Sequence, residues 1–200
     1  MLRFIFSVIA GALAFFILST IIPSKEEAGI YESTVRLHVI ANSDSEEDQN
    51  VKLKVRDAII DHISKYNAKT KDEALSFIDA DKENLKKIAE ECLKNNGFDY
   101  PVSIKIGEEN YPTREYEDFT LPAGVYTSLQ IVLGEGEGQN WWCVLFPPLC
   151  TKPALSYDED ACIDVGLTKD QYNLITGTNG EYKIKFKLLE IASQAFSWAK

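Results

Sequence analysis

The stretch VRLHVIANSDSEEDQNVKLKVRDAIIDHI, residues 35–63, decides how the rest of this chain is organised. It opens as a strand, because aliphatic residues occupy every second position: Val35, Leu37 and Val39. A tight polar turn follows, in which Ser43 or Asp44 is placed to accept hydrogen bonds from the free amides of a helix start. Aliphatic residues then recur at helical spacing, at Val51, Val55, Ala58, Ile59 and Ile63. The stretch therefore predicts a strand, a polar turn and an amphipathic helix.

Helical patterns continue beyond this stretch. Thr70 is placed to cap a second helix, and residues 79–81 either interrupt that helix or expose a polar turn. A further apolar stripe occupies residues 85–93. Residues 158–178 are polar and rich in breakers, so we expect a mobile loop with a short helix in its second half. Helical spacing returns at residues 182–199.

From residue 100 onward the hydrophobic period changes from helical to alternating. Residues 102–106, 125–133 and 141–146 each read as a strand. The last two are joined by the glycine-rich loop GEGEG, which predicts a β-hairpin. This order of elements predicts an α+β domain, with a largely antiparallel sheet packed by helices on one face.

The amino-terminal segment is a separate unit. Residues 4–22, FIFSVIAGALAFFILSTII, form an uncharged run of nineteen residues, long enough for a helix to cross about 30 Å of hydrocarbon. The alternatives are an uncleaved signal anchor, a cleaved signal peptide and a buried core helix, of which the apolar, terminal position favours the first two. We expect an anchor or signal peptide at residues 1–22, a linker at 23–32 and a domain outside the cytoplasm at 33–200.

The charge and the motifs exclude several classes of function. The formal net charge is −10, which disfavours nucleic-acid binding because that needs a basic patch. His38 and His62 are the only histidines, and the sequence contains no C-x-x-C, H-E-x-x-H or G-x-S-x-G motif. We therefore expect no catalytic residue, no metal and no cofactor, with His38 a hydrogen-bonded polar residue on a strand face.

Two stretches resemble one known family. The sequences RLHVIANSDS at residues 36–45 and GQNWWCVLFPPLC at residues 138–150 are similar to those of the stage II sporulation protein R family. The resemblance implies a signalling protein exported across the forespore inner membrane. There it would trigger a membrane-bound aspartic protease that matures the mother-cell sigma factor E. The alternatives are an exported cell-envelope hydrolase or a small-ligand-binding module. A deep pocket that holds Arg36, His38 and a carboxylate with a shifted pKa would favour the enzyme.

The four cysteines allow three pairings. Cys143 and Cys150 flank a Pro-Pro step that can fold the chain back, which makes them candidates for a disulfide in an exported domain. Cys92 lies on an apolar helical stripe, which is typical of a buried hydrophobic residue.

The family-like stretches also contain the candidate partner-binding residues. Trp141 and Trp142 are adjacent, so on a strand they face opposite ways, and only one can join the core. An outward aromatic side chain beside a stiff loop suits a protein-binding anchor, whereas helices on both faces would turn both tryptophans into packing residues. The candidates are Arg36, His38, Asn42, Asp44, Trp141, Trp142, Pro147 and Pro148.

Overall fold

The structure, a computed structural model, describes residues 24–116, 119–149, 159–164 and 166–177, with Phe4, Ser7, Val8 and Gly11 near the amino terminus. The helices are α1 (Lys25–Ser33), α2 (Glu46–Ile63), α3 (Lys71–Ala80), α4 (Lys82–Asn95), α5 (Glu159–Asp164) and α6 (Lys169–Ile175). The strands are β1 (Val35–Ile40), β2 (Val102–Tyr111), β3 (Arg114–Glu115), β4 (Thr120–Leu121), β5 (Gly124–Leu133) and β6 (Asn140–Phe146). The predicted α+β class is confirmed.

The main sheet is mixed and has the strand order β2–β5–β1–β6. β1 runs parallel to β5 and antiparallel to β6, while β2 runs antiparallel to β5. The predicted hairpin of β5 and β6 is wrong, because β1 lies between these strands and pairs with both. The reason is that β1 is buried on both faces, and such a strand belongs at the centre of a sheet.

Helices α2, α3 and α4 cover one face of this sheet. The aliphatic side of β1 packs there against the predicted stripe of α2 in one core, which contains Val35, Leu37, Val39, Val51, Val55, Ile59 and Ile63. The helix begins later than predicted, because Ser45 is the N-cap and its hydroxyl accepts a hydrogen bond from the N–H of Asp48 at 3.1 Å. Thr70 caps α3 as predicted, and Asp81 separates α3 from α4.

The opposite face of the sheet is also covered, so the prediction of helices on one face only is wrong. Helices α1 and α6 and the small β3–β4 ladder pack there in a second core, whose members include Ile30, Tyr111, Leu121, Tyr126, Val144 and Leu174. Part of the expected linker, residues 23–32, therefore folds as α1. The cause is local: Ser24 and Glu27 form a capping box, and Ile30 has an apolar surface to cover.

Several predictions concern parts of the chain with little or no structural description. Residues 182–199 lie outside the described residues, and so does most of the run at 4–22. Within the part of the chain that is described, no helix has both the length and the apolar character needed to cross a membrane. The polar stretch at 158–178 contains α5 and α6, and α6 begins at a capping box formed by Thr168 and Gln171.

Candidate functional site

The two family-like stretches lie side by side in the sheet. Strand β1 pairs with β6, with His38 opposite Trp142 and Val39 opposite Trp141. Side chains alternate along a strand, so those of Arg36, His38 and Trp142 point to the face covered by α1, α6 and the β3–β4 ladder, which we call the second face. Trp141 points to the face covered by α2. The candidate residues therefore divide between the two faces.

The turn after β1 is built around the carboxylate of Asp48. The side-chain amide of Asn42 and the hydroxyl of Ser43 donate hydrogen bonds to one carboxylate oxygen at 2.9 and 2.6 Å, and the hydroxyl of Tyr100 donates to the other at 3.0 Å. Burial raises the pKa of Asp48, but these hydrogen bonds outweigh it and hold the pKa below its usual value. Asn42 is thus committed to an internal network.

The same turn fixes the loop that leads into β6. The side-chain oxygen of Asn42 accepts a hydrogen bond from the backbone N–H of Glu135 at 3.0 Å, and Asp44 accepts one from Gln139 at 2.8 Å. From α2, the ammonium group of Lys52 donates to the carbonyl of Gln139 at 2.8 Å. The loop between β5 and β6 is therefore held by the turn after β1 and by Lys52 of α2.

Trp141 is the exposed member of the tryptophan pair. Its exposed fraction is 37%, and the guanidinium carbon of Arg56 lies 4.3 Å from its ring centroid. Arg56 in turn forms an ion pair with Asp57 at 2.6 Å. Trp141 directly follows the loop that Asp44 fixes, so the structure places these two candidates at the same end of the sheet.

His38 and Trp142 form a polar and aromatic cluster on the second face. His38 is 6% exposed; its Nδ1 lies 2.6 Å from a carboxylate oxygen of Glu109 and its Nε2 lies 2.8 Å from the side-chain oxygen of Asn140. The amide of Gln130 donates to the same Glu109 oxygen at 3.1 Å. The imidazole stacks on Trp142 with centroids 5.4 Å apart. As predicted for His38, both ring nitrogens have partners.

Arg36 lies next to this cluster and is completely buried. Its Nε donates to the carbonyl of Cys143 at 2.9 Å, and its Nη2 donates to the hydroxyl of Tyr116 at 2.8 Å. The guanidinium carbon lies 4.3 Å from the ring centroid of Tyr111 and 5.0 Å from that of Tyr126. Aromatic faces attract a desolvated cation, so these rings partly compensate the buried charge.

Among the described residues, the cluster borders only a small depression. The depression beside Glu109 has a volume of about 50 Å³ and is lined by Lys105, Gly107, Glu108, Glu109, Ser128 and Gln130. That volume suffices for a few water molecules. Within the described part of the chain, the groups that contact the ring nitrogens of His38 are a carboxylate and amides, not a hydroxyl or thiol. This geometry is typical of a polar group satisfied inside a fold.

The two prolines lie at the other end of β6. Pro147 is buried and follows Phe146 through a cis peptide bond. Pro148 is half-buried and lines an apolar cavity of about 200 Å³ between the sheet and helices α2 and α3, where Tyr66 and Ile78 also lie. The prolines are therefore separated from Trp141 by the length of β6.

Cys143 is disulfide-bonded, and Cys92 is a free thiol. Cys150, the predicted partner of Cys143, lies outside the described residues. Cys92 is half-buried on α4, and burial raises the pKa of its thiol. This agrees with its expected role as a packing residue.

Two residues that contact His38 and Trp142, Glu109 and Arg114, were not singled out by the sequence pattern. Glu109 lies in a strand whose start alone was recognised from its alternation, and Arg114 lies in a strand of two residues. A usable signal was present in β5, where the polar residues Ser128 and Gln130 lie in a largely apolar strand. These residues pair with Arg36 and His38 in the β1–β5 ladder. The polar positions of β5 therefore mark the place of the polar cluster in the sheet.

Comparison with known proteins assigns the family. The family model for stage II sporulation protein R matches residues 31–155. The chain is 34% identical over 151 residues to stage II sporulation protein R of Bacillus subtilis (strain 168), an alignment that covers 74% of this chain and 67% of that protein. No solved structure matches. The matched residues include β1, the Asn42–Asp48 turn and β6, and the chain belongs to the stage II sporulation protein R family.

Proposed function

We propose that this protein is an exported sporulation signal that activates, by binding, a membrane-embedded aspartic protease that processes pro-sigma factor E. The observation that carries the proposal is the family match over the folded domain, residues 31–155. The apolar run at residues 4–22 would deliver the domain across the membrane, or anchor it there, into the space between forespore and mother cell.

The surroundings of His38, as far as the described residues form them, support binding rather than chemistry. A hydrolase would need a reacting group beside His38 and room for a substrate. His38 is instead held between Glu109 and Asn140, and Trp142 covers its ring. A small-ligand site would normally need a concave pocket of several hundred Å³, and the depression beside Glu109 is far smaller.

The contact surface in this proposal is the end of the sheet that carries Trp141. The exposed ring rests on Arg56, and the preceding loop is fixed by hydrogen bonds to Asn42 and Asp44. A half-exposed tryptophan on a rigid platform suits an interface anchor, because little side-chain entropy is lost when a partner covers it. Arg36 and His38 then act indirectly, by holding β1 and β6 in register.

Activation requires that the signal prefers one state of the protease. A binding partner shifts a two-state equilibrium only by its difference in affinity for the two states. An anchor surface that contacts the active protease state more closely than the inactive one would supply that difference.

The test reconstitutes the pathway in membranes. Vesicles that contain the protease and pro-sigma factor E on the inside receive the full-length protein either outside or inside, and cleavage of the pro-sequence is measured. We expect cleavage only with the signal outside. Cleavage that is equal from both sides, or absent although the proteins co-purify, would contradict the proposal.

A second measurement separates binding from chemistry. Activation by a binding partner saturates near one signal molecule per protease site, whereas an enzyme acts at substoichiometric amounts. We therefore expect the cleavage rate to rise with the amount of signal until the two are roughly equal in number. Full activation at a small fraction of that amount would favour the hydrolase alternative.

A further inference from the structure

Strand β2 lies at an edge of the main sheet, and only one of its sides is paired. It is the first strand in the order β2–β5–β1–β6 and is ten residues long. The carbonyl of Pro101 accepts a hydrogen bond from the N–H of Gly134 at 2.9 Å, one step before the pair of Val102 and Leu133. Hydrogen-bonded and non-hydrogen-bonded pairs alternate along an antiparallel ladder. The backbone groups of odd-numbered residues therefore face β5, and those of even-numbered residues face outward.

The outward N–H and C=O groups have no hydrogen-bond partner in the part of the chain that the structure describes. They belong to Val102, Ile104, Ile106, Glu108 and Asn110. Ile104 and Ile106 are also only half-buried at the margin of the core. A free edge of this length is a template for a further strand, and an added strand would cover apolar surface as well.

The charges of β2 are arranged symmetrically about Gly107. Charged side chains on an edge strand usually oppose its pairing with another chain. Lys105 and Glu109 both project from the second face, two residues before and two residues after Gly107. Lys105 is exposed, and the side chain of Glu109 is partly exposed. A second β2 strand that runs antiparallel to the first would therefore set each lysine opposite a glutamate.

We propose that two copies of this protein associate through antiparallel β2 strands, with Gly107 at the two-fold axis. Outward-facing residues must lie opposite outward-facing residues, so the axis passes through a single residue. An axis at Lys105 or at Glu109 would set like charges directly opposite each other, which destabilises a strand pair. The axis at Gly107 sets opposite charges together, and about eight backbone hydrogen bonds join the two copies over residues 103–111.

The other face of this strand pair adds an apolar contact. Ile106 of one copy lies diagonally across from Ile106 of the other, within reach of a side-chain contact. Glu108 also lies diagonally across from its equivalent, but Lys71 of the same chain is close enough to offset its charge. An edge-to-edge contact is small beside a standard interface of about 800 Å² per partner, so we expect a dissociation constant on the order of 10 μM.

The association would make the signal bivalent, a consequence that rests on the proposed function. Two four-stranded sheets would join into one sheet with a β6 strand at each end. Neighbouring strands lie about 4.8 Å apart, so the two Trp141 surfaces would be separated by about 34 Å, and one dimer would contact two protease molecules. The pairing uses no residue of the Trp141 surface, and its test needs no protease. Failure of the dimer would therefore leave activation by a single copy intact.

A disulfide across the axis tests both the contact and its register. Opposite residues in a non-hydrogen-bonded antiparallel pair have Cα atoms about 4.5 Å apart, a separation that a disulfide can span. A Cβ added at Gly107 would meet the end of the Lys105 side chain at 3.8 Å, so Gly107→Cys should fold. Under mild oxidation of the full-length protein in non-ionic detergent, we expect Gly107→Cys to form a covalent dimer.

Ser103→Cys is the matched control. Ser103 is exposed on the same face of the same strand, but the proposed register sets it opposite Tyr111 of the other copy. Two thiols at position 103 would lie about 27 Å apart, so this variant should form no more covalent dimer than the wild type. Equal cross-linking of the two variants, or none in either, would overturn the proposal.

Sedimentation equilibrium in density-matched detergent measures the association without a covalent bond. Lys105→Glu sets two carboxylates opposite each other on both sides of the axis, so it should weaken dimerisation about tenfold. Lys69→Glu makes the same charge change at an exposed lysine in the loop before α3, and it should dimerise like the wild type. Equal association of all three proteins would place the contact elsewhere in the chain. A wild type that stays monomeric at about 100 μM, with β2 amides protected from hydrogen exchange only when the protease is added, would assign the edge to the protease instead.

Discussion

The carboxylate of Asp44 accepts a hydrogen bond from the backbone N–H of Gln139, with 2.8 Å between the two atoms. The two residues are 95 positions apart in sequence, and each belongs to one of the stretches that resemble the family. The contact makes the turn after β1 and the loop before β6 parts of one surface. Exposed Trp141 follows this loop directly, so the turn determines how the ring is presented.

Loss of this contact should loosen the loop. Asp44→Ala removes a charged acceptor from a backbone N–H, which should cost about 1 kcal/mol of stability, because Asp44 is exposed. Amide hydrogen exchange across residues 135–139 should become faster, and exchange in β5 should not change. Asp99→Ala is the control, since Asp99 is an exposed acid in the loop before β2. Unchanged exchange at residues 135–139 would show that the contact does not hold the loop.

The sequence predicted the parts of the fold that depend on local pattern. The alternation in β1, the stripe of α2 and the cap at Thr70 are all properties of neighbouring residues, and all three are confirmed. The pairing of β5 and β6 was mispredicted because a glycine-rich loop also joins strands that flank a third strand. That choice depends on β1, about ninety residues earlier, whose burial on both faces is a property of the whole domain.

The candidate site was predictable in outline only. Arg36 and His38 stood out because they share one strand face in a stretch that resembles the family. Trp141 and Trp142 stood out because adjacent tryptophans on a strand must face opposite ways. Their partners were not predictable, since Glu109 is an ordinary charged residue until β2 is placed beside β5.

Asp48 should make stability depend on pH. Its pKa in the folded state is lowered, so the ionised carboxylate stabilises the fold above its unfolded pKa of about 3.9, and this contribution is lost as the pH falls through the lower, folded value. The difference in unfolding free energy between the wild type and Asp48→Asn should therefore shrink as the pH is lowered from about 6 to 3. Urea titrations at several pH values measure it.

The control for this prediction is Asp72→Asn, in which an exposed acid at the start of α3 is replaced. The difference between this variant and the wild type should change little over the same pH range. A constant difference for Asp48→Asn would mean that hydrogen bonds from Asn42, Ser43 and Tyr100 do not favour the charged form.

Removal of His38 should affect stability but not signalling by the folded protein. His38→Ala leaves Glu109 and Asn140 without a hydrogen-bond partner they now have, at a cost of about 2 kcal/mol. His38→Gln retains polar atoms at the site and should recover part of that loss. Protease activation per folded molecule should equal that of the wild type in both variants. Abolished activation in a folded, exported His38→Gln protein would instead indicate a chemical role for the imidazole.

The disulfide of Cys143 should contribute to stability, while Cys92 should not be linked to another cysteine. Mass mapping under non-reducing conditions should find Cys143 linked to Cys150, and Cys143→Ser should lower stability by about 2 to 4 kcal/mol. Cys92→Ser serves as the control, with a smaller effect, because the Cys92 thiol is free. A bond from Cys143 to Cys162 would contradict the predicted pairing.

Substitution of each tryptophan by alanine should distinguish a packing role from a role in recognition. The ring of Trp142 contacts both His38 and Arg114, so Trp142→Ala should cost about 3 kcal/mol of stability. Trp141 is 37% exposed and rests mainly on Arg56, an exposed type of cation–π contact worth about 0.5 to 1 kcal/mol. Trp141→Ala should therefore lower the melting temperature less than Trp142→Ala does.

Activation of the protease should show the opposite order. If Trp141 is the anchor, its removal should cost about 2 kcal/mol of binding free energy, or roughly thirtyfold in the concentration needed for half-maximal activation. Arg56→Gln keeps the ring but removes its support, so it should fall between Trp141→Ala and the wild type. Trp142→Ala, assayed below its melting temperature, should activate normally. If Trp142→Ala lost activation and Trp141→Ala activated normally, the contact surface would be the face that carries His38 and not the α2 side of β6.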